Sequence, residues 1–239
     1  MSTRAREYGA GGWLGVGAPQ ANPTVEMEMR RFLPADVEAL ATRLRSGAAT
    51  ADGRLVDYIE RLPDALESFD VLRLDAFGFA CTGSSYLVGA AREKELVEAA
   101  SRRFGYPVVT AAAAVREALQ ALGARRIALL APYPAHLVEA AIAYWAGLGV
   151  EVVATRRIEL GSADTRRIYG LTSADALNAL TDFDPGPADA LVMSGTGMPT
   201  VNALGPASRR LGRPALSSNG CLAWAMLRAF GRTEEIPGA

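Results

Sequence analysis

Residues 74–86 read Leu74-Asp75-Ala76-Phe77-Gly78-Phe79-Ala80-Cys81-Thr82-Gly83-Ser84-Ser85-Tyr86, an apolar run that ends in small and hydroxyl-bearing residues. Such a run is typical of a buried strand, and the small residues after it predict a tight turn. Similar runs alternate with helical patterns along the chain, which predicts a parallel α/β fold. The predicted strands are residues 13–17, 39–45, 74–80, 108–110, 127–131, 150–156, 190–194 and 215–217. The predicted helices are residues 54–67, 90–104, 112–122, 135–148, 174–182, 201–211 and 221–230.

The chain repeats its pattern at a distance of about 114 residues. The run that begins at Trp13 and ends in Ala18-Pro19 returns at Ile127 and ends in Ala131-Pro132, and the turn at Ala80 returns at Ser194. A fixed spacing between two pairs of segments indicates an internal repeat. We therefore predict two pseudosymmetric α/β lobes, each a short parallel sheet flanked by helices, with the active site in the cleft between them. The first lobe is expected to comprise residues 1–115 plus 218–239 and the second residues 116–217.

The composition limits the kinds of molecule that the protein is expected to bind. The 239 residues carry a net charge of -1, which gives no basic surface for nucleic acid or an anionic membrane. No apolar stretch approaches the roughly 20 residues of a membrane span. Two cysteines and one histidine, far apart in the sequence, predict neither a disulfide framework nor a metal site, so a cytoplasmic protein is expected.

Cys81 is the strongest candidate for chemistry. A cysteine at the end of a strand, followed by hydroxyls and the start of a helix, lies near backbone N–H groups and the positive end of the helix dipole. These features are expected to lower the pKa of the thiol and to favour the nucleophilic thiolate. They also form a site for a carboxylate or enolate oxygen. The alternative, a buried structural cysteine, is about equally common for a free cysteine.

Other turns at the same edge of the sheets offer neutral hydrogen-bonding groups. The segment Ser194-Gly195-Thr196-Gly197 aligns with the Cys81 turn, so Thr196 matches Thr82, Gly197 matches Gly83 and Gly195 takes the place of the thiol. Asn22 and Tyr133, which follow other strands, offer an amide and a phenol at the same edge. Each of these groups also has a simpler interpretation. The second-lobe segment is then an ordinary glycine-rich βα turn, Asn22-Pro23 is a capped helix start, and Tyr133 only packs. The predicted substrate-binding residues are Asn22, Thr82, Gly83, Tyr133, Ser194, Gly195, Thr196, Gly197 and Asn219.

Two further residues, Cys221 and His136, are predicted to take no part in catalysis. Cys221 opens an amphipathic helix and is expected to pack in the core. His136 is expected in solvent, with nothing to pair it with Cys81, which disfavours a Cys–His arrangement. The glycine-rich turns match neither the phosphate loop nor the dinucleotide fingerprint, so no cofactor is predicted.

The turn motifs together resemble the maleate cis–trans isomerases and arylmalonate decarboxylases of the Asp/Glu racemase superfamily. The resemblance rests on the order and spacing of the turns at residues 22–26, Cys81, Ala131-Pro132-Tyr133, 194–197 and Ser217-Ser218-Asn219. It implies two pseudosymmetric lobes, no metal, no organic cofactor and a small dicarboxylate substrate.

The resemblance also implies what the thiol does. Racemases of the superfamily use one cysteine from each lobe, whereas maleate isomerases use the first-lobe cysteine as nucleophile, the position that Cys81 matches. Arylmalonate decarboxylases carry glycine there and protonate an enediolate with the second-lobe cysteine. The present chain has the reverse arrangement, with Cys81 in the first lobe and Gly195 in the second, which argues against two-base racemisation.

Three functions follow from the sequence. The first is cofactor-independent decarboxylation of a malonate-type diacid through an enediolate that Cys81 protonates. The second is maleate-type cis–trans isomerisation with Cys81 as covalent nucleophile, and the third is a binding or sensor protein that kept the cleft alone. The oligomeric state stays open, a homo-oligomer included, and Trp145 is expected as an exposed aromatic residue suited to a dimer surface.

Overall fold

The computed structural model describes residues 6–239, and its strands form two four-stranded parallel sheets. The strands are β1 (Gly12–Pro19), β2 (Val37–Leu44), β3 (Ala76–Phe79), β4 (Val108–Thr110), β5 (Arg126–Ala131), β6 (Glu151–Arg157), β7 (Ala190–Met193) and β8 (Ala215–Ser217). The α-helices are α1 (Val25–Phe32), α2 (Ala51–Glu60), α3 (Leu62–Glu67), α4 (Thr82–Phe104), α5 (Ala111–Ala121), α6 (Ala135–Gly147), α7 (Ser173–Ala179), α8 (Val201–Leu211) and α9 (Ser218–Ala229). A 3-10 helix spans Thr165–Gly170.

The two sheets have the same topology, which confirms the predicted fold class. Their strand orders are β2-β1-β3-β4 and β6-β5-β7-β8, with every pair parallel. Strands β5, β6 and β7 each begin 114 residues after β1, β2 and β3. The repeat that is visible in the sequence is therefore a repeat of whole strand–helix units.

The inner strands carry the core of each lobe. Strands β3 and β7 are buried along their whole length, because helices cover both faces of each sheet. Helix α9 packs on β3, β4 and α5, so the C-terminal helix covers the first sheet. The division into residues 1–115 plus 218–239 and 116–217 stays a prediction, and residues 115 and 116 lie within α5.

The largest differences from the predicted helices lie in the first lobe. The predicted helix 54–67 is two helices, because Pro63 lacks a backbone N–H and stands in the first turn of α3. Helix α4 begins at Thr82 rather than at residue 90, with a non-helical φ of 78° at Gly89 between its two parts. Helix α1 was foreseen only as the alternative interpretation of the Asn22-Pro23 turn.

Trp145 was predicted to be exposed, and this prediction is wrong. Its side chain is fully buried and makes edge-to-face contacts with Tyr144 and Tyr86, with ring centroids 5.2 Å and 6.2 Å away. Helix α6 is apolar on most sides, so its sequence does not reveal which residues are buried, and Trp145 lies on the side that packs against α4. Trp145 therefore offers no dimer surface, and a homo-oligomer stays a prediction without it.

A buried carboxylate joins the two lobes behind the cleft. Glu28 of α1 is 5% exposed and accepts hydrogen bonds from the backbone N–H groups of Thr200 and Val201, at the start of α8. It also accepts a hydrogen bond from Asn219 Nδ2, at 2.8 Å. A carboxylate at the start of a helix is favoured by the helix dipole, so this contact fixes α8 relative to the first lobe.

Candidate functional site

The candidate site is a cleft at the carboxyl ends of β1, β3, β5 and β7, where the two lobes face each other. In parallel α/β sheets this edge is where ligands bind. Both lobes and the 3-10 helix contribute to its wall. The lining residues are Pro19, Asn22, Arg54, Leu55, Tyr58, Cys81, Thr82, Gly83, Tyr133, Thr165, Ile168, Tyr169, Gly195, Thr196 and Gly197.

Cys81 lies between β3 and α4, as the N-cap residue of a helix without a side-chain cap. It is 5% exposed, and burial raises the pKa of its thiol from the usual value of 9.0. Hydrogen bonds with the Ser84 side chain and with the backbone of Ser84 and Gly83, and the charge of Arg54, act in the opposite direction on this pKa. The expectation of a lowered pKa is therefore wrong, because the two lobes exclude water from the thiol.

Hydroxyl groups from both lobes meet beside the thiol. Tyr133 Oη donates a hydrogen bond to Thr82 Oγ1 at 3.2 Å, and Thr82 Oγ1 lies 3.3 Å from Ser218 Oγ. Ser218 Oγ also accepts a hydrogen bond from the Gly195 backbone N–H at 3.1 Å. Burial raises the pKa of Tyr133 to about 12, so its phenol stays a neutral donor. The hydroxyls of Thr82, Tyr133 and Ser218 and the Gly195 N–H form a set of neutral donors, here called the cradle. This set suits a carboxylate or an enediolate.

Asn22 and Thr196 close one side of this cradle. Asn22 Nδ2 donates to Thr196 Oγ1 at 3.4 Å, and Thr196 Oγ1 donates to the carbonyl oxygen of Ala80 at 2.7 Å. Asn22 Oδ1 accepts from the backbone N–H groups of Thr24 and Val25, so the amide also caps the start of α1. Asn22 therefore bonds to the backbone at the start of α1, which begins at Val25, and also lines the cleft, while its role in substrate binding stays a prediction.

Gly195, which the internal repeat aligns with Cys81, lies in a backbone conformation that favours glycine. Its φ is +116°, and a Cβ there would lie 3.3 Å from Tyr133 Oη and 3.4 Å from Pro132 Cγ. Gly197 carries no side chain either, and a Cβ on it would lie 2.8 Å from Tyr169 Cε1. The second-lobe turn thus brings backbone rather than side chains to the cleft.

Two predicted binding residues lie outside the lining. Ser194 is fully buried, with its Oγ 2.9 Å from Tyr86 Oη. Asn219 is 1% exposed, and its Nδ2 donates to Glu28 and to the carbonyl oxygen of Thr196. Each side chain turns away from the cleft into the packing behind it. The seven other predicted binding residues and Cys81 line the cleft together.

Sequence reasoning missed one wall of the cleft altogether. Helix α2 brings Arg54, Leu55 and Tyr58, and the 3-10 helix brings Ile168 and Tyr169. The apolar spacing in α2 predicts a helix with one buried face but does not reveal whether that face meets the core or a cavity. An arginine within that face was the available signal, because a guanidinium is seldom buried without a function or a partner.

Cys221 and His136 stand apart from the thiol chemistry. Cys221 is fully buried in α9, and burial raises the pKa of its thiol to about 12. His136 is about half exposed, and its Nε2 lies 3.0 Å from Asp52 Oδ1. Across residues 6–239, no group of three or more His, Cys, Asp or Glu side chains is placed to hold a metal ion. Nor is any helix in this range both long and apolar enough to cross a membrane.

Fold and cleft together define a class: two-lobed α/β proteins in which a buried thiol faces neutral donors suited to a carboxylate. The sequence model of the family described as arylmalonate decarboxylase matches residues 14–239. The chain belongs to this family, within the branch of the Asp/Glu racemase superfamily that the turn motifs indicated. It is an enzyme of the isomerase or lyase type.

Relatives with both activities resemble the chain over its length. Maleate isomerase of Nocardia farcinica is 28% identical and covers 95% of this chain and 93% of its own. Arylmalonate decarboxylase of Bordetella bronchiseptica is also 28% identical, over 94% of this chain and 93% of its own.

Solved structures of both kinds share the fold. A cysteine-to-serine variant of Nocardia farcinica maleate cis–trans isomerase, with a covalently bound succinylcysteine intermediate, aligns with a TM-score of 0.86 at 26% identity, over 95% of this chain and 96% of its own. A variant of arylmalonate decarboxylase, with one glycine changed to cysteine and one cysteine to serine, aligns with a TM-score of 0.81 at 26% identity, over 94% of both chains.

Proposed function

We propose that this enzyme is a maleate-type cis–trans isomerase in which Cys81 is the covalent nucleophile. The observation that carries the proposal is the position of Cys81: a buried thiol at the start of α4, beside Thr82 and the Tyr133 hydroxyl. A nucleophile that adds and later leaves needs no second acid. The glycine at position 195 is therefore compatible with this chemistry.

The isomerisation can be written with Cys81 as its single catalytic thiol. The Cys81 thiolate adds to one alkene carbon of the cis diacid, and the π electrons move onto the other carbon and its carboxylate to give an enediolate. The former double bond is now a single bond and rotates. The electrons then return, the carbon–sulfur bond breaks, and the trans diacid leaves together with the regenerated thiolate. Thr82, Tyr133 and the N–H groups at the start of α4 are assigned to stabilise the negative charge of the enediolate.

The similarity to solved isomerase structures supports the proposal. The Nocardia farcinica isomerase structures align with TM-scores of 0.85 and 0.86, whereas arylmalonate decarboxylase structures of at least 25% identity align with values of 0.73 to 0.81. One of these isomerases carries a succinylcysteine, in which sulfur is bonded to one former alkene carbon and the other carbon has gained a proton, so the thiol of that enzyme adds to the double bond. By analogy, Cys81 is assigned the nucleophilic role.

Decarboxylation of a malonate-type diacid is the second candidate, and the state of the thiol favours it. Burial raises the pKa of Cys81, which keeps the proton on sulfur. In that reaction the carbon–carbon electrons pass to an enediolate as carbon dioxide leaves, and the Cys81 thiol donates its proton to one face of the carbanion. A prochiral malonate would then give one enantiomer.

Product analysis separates these functions. The purified enzyme is incubated with maleate and, in parallel, with phenylmalonate or methylmalonate, and products are followed by proton NMR and intact-protein mass spectrometry. Fumarate together with an adduct on Cys81 supports isomerisation, whereas carbon dioxide and a monoacid without an adduct support decarboxylation. Cys81→Ser is the control for both reactions. No product from any of these diacids would contradict both assignments and favour a binding protein.

A further inference from the structure

Arg54 is the only cationic residue that lines the cleft within the described part of the chain. It belongs to α2, is 8% exposed and shares the lining with Cys81 and Thr82. Its charge is close enough to lower the pKa of the Cys81 thiol. A guanidinium that faces a cavity with so little access to water is matched to an anion, because it presents several N–H donors in one plane.

In this structure the anion that pairs with Arg54 is a side chain of the same protein, Asp164. Arg54 Nη2 lies 3.0 Å from Asp164 Oδ1, across the cleft and 110 residues further along the chain. Asp164 is about one third exposed and forms a second ion pair with Arg166, at 2.6 Å. Hydrogen bonds from Arg166 hold the pKa of Asp164 at about 2, so this carboxylate stays charged without Arg54. Asp164 therefore keeps a partner when Arg54 binds another carboxylate.

Two phenols lie on the same wall of the cleft as Arg54. Tyr58 of α2 is 4% exposed, and Tyr169 of the 3-10 helix contributes the edge of its ring beside Gly197. Burial raises the pKa of both phenols, so both remain protonated donors. This wall is distinct from the cradle, because it is built from α2 and the 3-10 helix rather than from the turns after β3, β5 and β7.

We propose that Arg54 binds the second carboxylate of the substrate, the one that the cradle does not hold, in exchange for Asp164. The inference rests on the proposed function in that it assumes a diacid in this cleft. It makes Arg54 a specificity-determining residue that selects diacids over monoacids. It also bears on the choice of reaction: a guanidinium stabilises a carboxylate in its charged form and so opposes its loss as neutral carbon dioxide.

Equilibrium binding tests the inference without turnover. Succinate, a diacid with no double bond, and butyrate, its monoacid counterpart, are titrated into Cys81→Ser by calorimetry. Adding Arg54→Gln is expected to weaken succinate binding roughly 10- to 100-fold, the range for a lost hydrogen bond to a charged group, and to leave butyrate binding within about twofold. The matched control is Arg61→Gln, one residue beyond α2, whose exposed ion pair with Asp64 lies outside the cleft.

Two further variants exclude a merely structural role for Arg54. Asp164→Asn removes the competing carboxylate and is expected to tighten succinate binding several-fold, which loss of fold would not do. Arg54→Lys keeps the charge and should retain part of the preference for the diacid. Circular dichroism and the melting temperature verify that each variant is folded.

The outcomes keep this inference separate from the proposed function. Equal succinate affinity with and without Arg54, or no succinate binding by the parent protein, would overturn the inference even if the enzyme makes fumarate. Conversely, Arg54-dependent succinate binding by an enzyme that makes no fumarate from maleate supports the inference and refutes isomerisation.

Discussion

The turn after β3 and the turn after β7 are equivalent in topology but differ in what they bring to the cleft. At Cys81 the backbone is extended, with φ of -146°, and α4 begins at the next residue. At Gly195 φ is +116°, and α8 begins only at Val201. The first turn therefore presents a side chain beside the N–H groups of a helix, whereas the second presents bare backbone. The turn after β7 therefore lacks a thiol at a position whose backbone strains any side chain.

The largest effect is expected from removing the side chain that distinguishes the first turn. Cys81→Ser should lower kcat/KM for the diacid at least ~1000-fold, because an alcohol replaces the nucleophile. Fumarate formation followed by proton NMR measures this. Cys221→Ala is the matched control: that thiol is buried in α9, away from the cleft, so kcat should not change. More than a tenth of the activity remaining in Cys81→Ser would remove the thiol from the mechanism.

The pH profile tests which form of that thiol works. Because burial raises the pKa of Cys81 above 9.0, the thiolate is a small fraction at pH 7 and grows about tenfold with each pH unit. Isomerisation by the thiolate should therefore accelerate roughly tenfold per unit between pH 7 and 9. Decarboxylation uses the thiol, so its rate would stay level over this range and fall only above the pKa. A level profile for fumarate formation would rule out the free thiolate as nucleophile.

A side chain at the second turn should cost both stability and activity. Gly195→Ala places a Cβ at a positive φ, which costs about 1–2 kcal/mol of the free energy of unfolding. The Cβ also lies against the Tyr133 hydroxyl, and kcat should fall about tenfold as that donor shifts. Thermal unfolding and steady-state kinetics measure the two effects. In Gly147→Ala, the control, the added Cβ meets no neighbouring atom within 4 Å, and neither quantity should fall. An unchanged Gly195→Ala would mean that the two turns differ in sequence only.

The smallest effect concerns the hydroxyl that joins the two turns. Tyr133→Phe removes the donor to Thr82 and should lower kcat a few-fold to tenfold, with less than about 1 kcal/mol lost from stability. Tyr144→Phe should show the opposite pattern, because its hydroxyl donates at 2.6 Å to the buried carboxylate of Glu93, away from the cleft. We expect about 1–3 kcal/mol of lost stability there and an unchanged kcat. Similar kinetics for both variants would show that the Tyr133 hydroxyl takes no part in catalysis.

The location of the site could be predicted because it depends on strand ends. Cys81, Thr82, Tyr133 and Gly195 each follow a parallel strand, and the ends of parallel strands meet at one edge. The direction of a short polar side chain after a strand is set by local packing instead. For this reason Ser194 and Asn219, which have the same sequence signal, turn away from the cleft.

The two-lobed parallel fold, the repeat and the candidate thiol could be inferred from the sequence alone, because strand periodicity and turn chemistry are local properties. Which helix faces complete the cleft depends on tertiary packing. Arg54 and Tyr58 on α2 and Tyr169 on the 3-10 helix reach Cys81 through contacts between elements that are distant in the chain. Tertiary structure also decided that burial raises the thiol pKa, since desolvation depends on what packs around the sulfur rather than on the residues beside it in sequence.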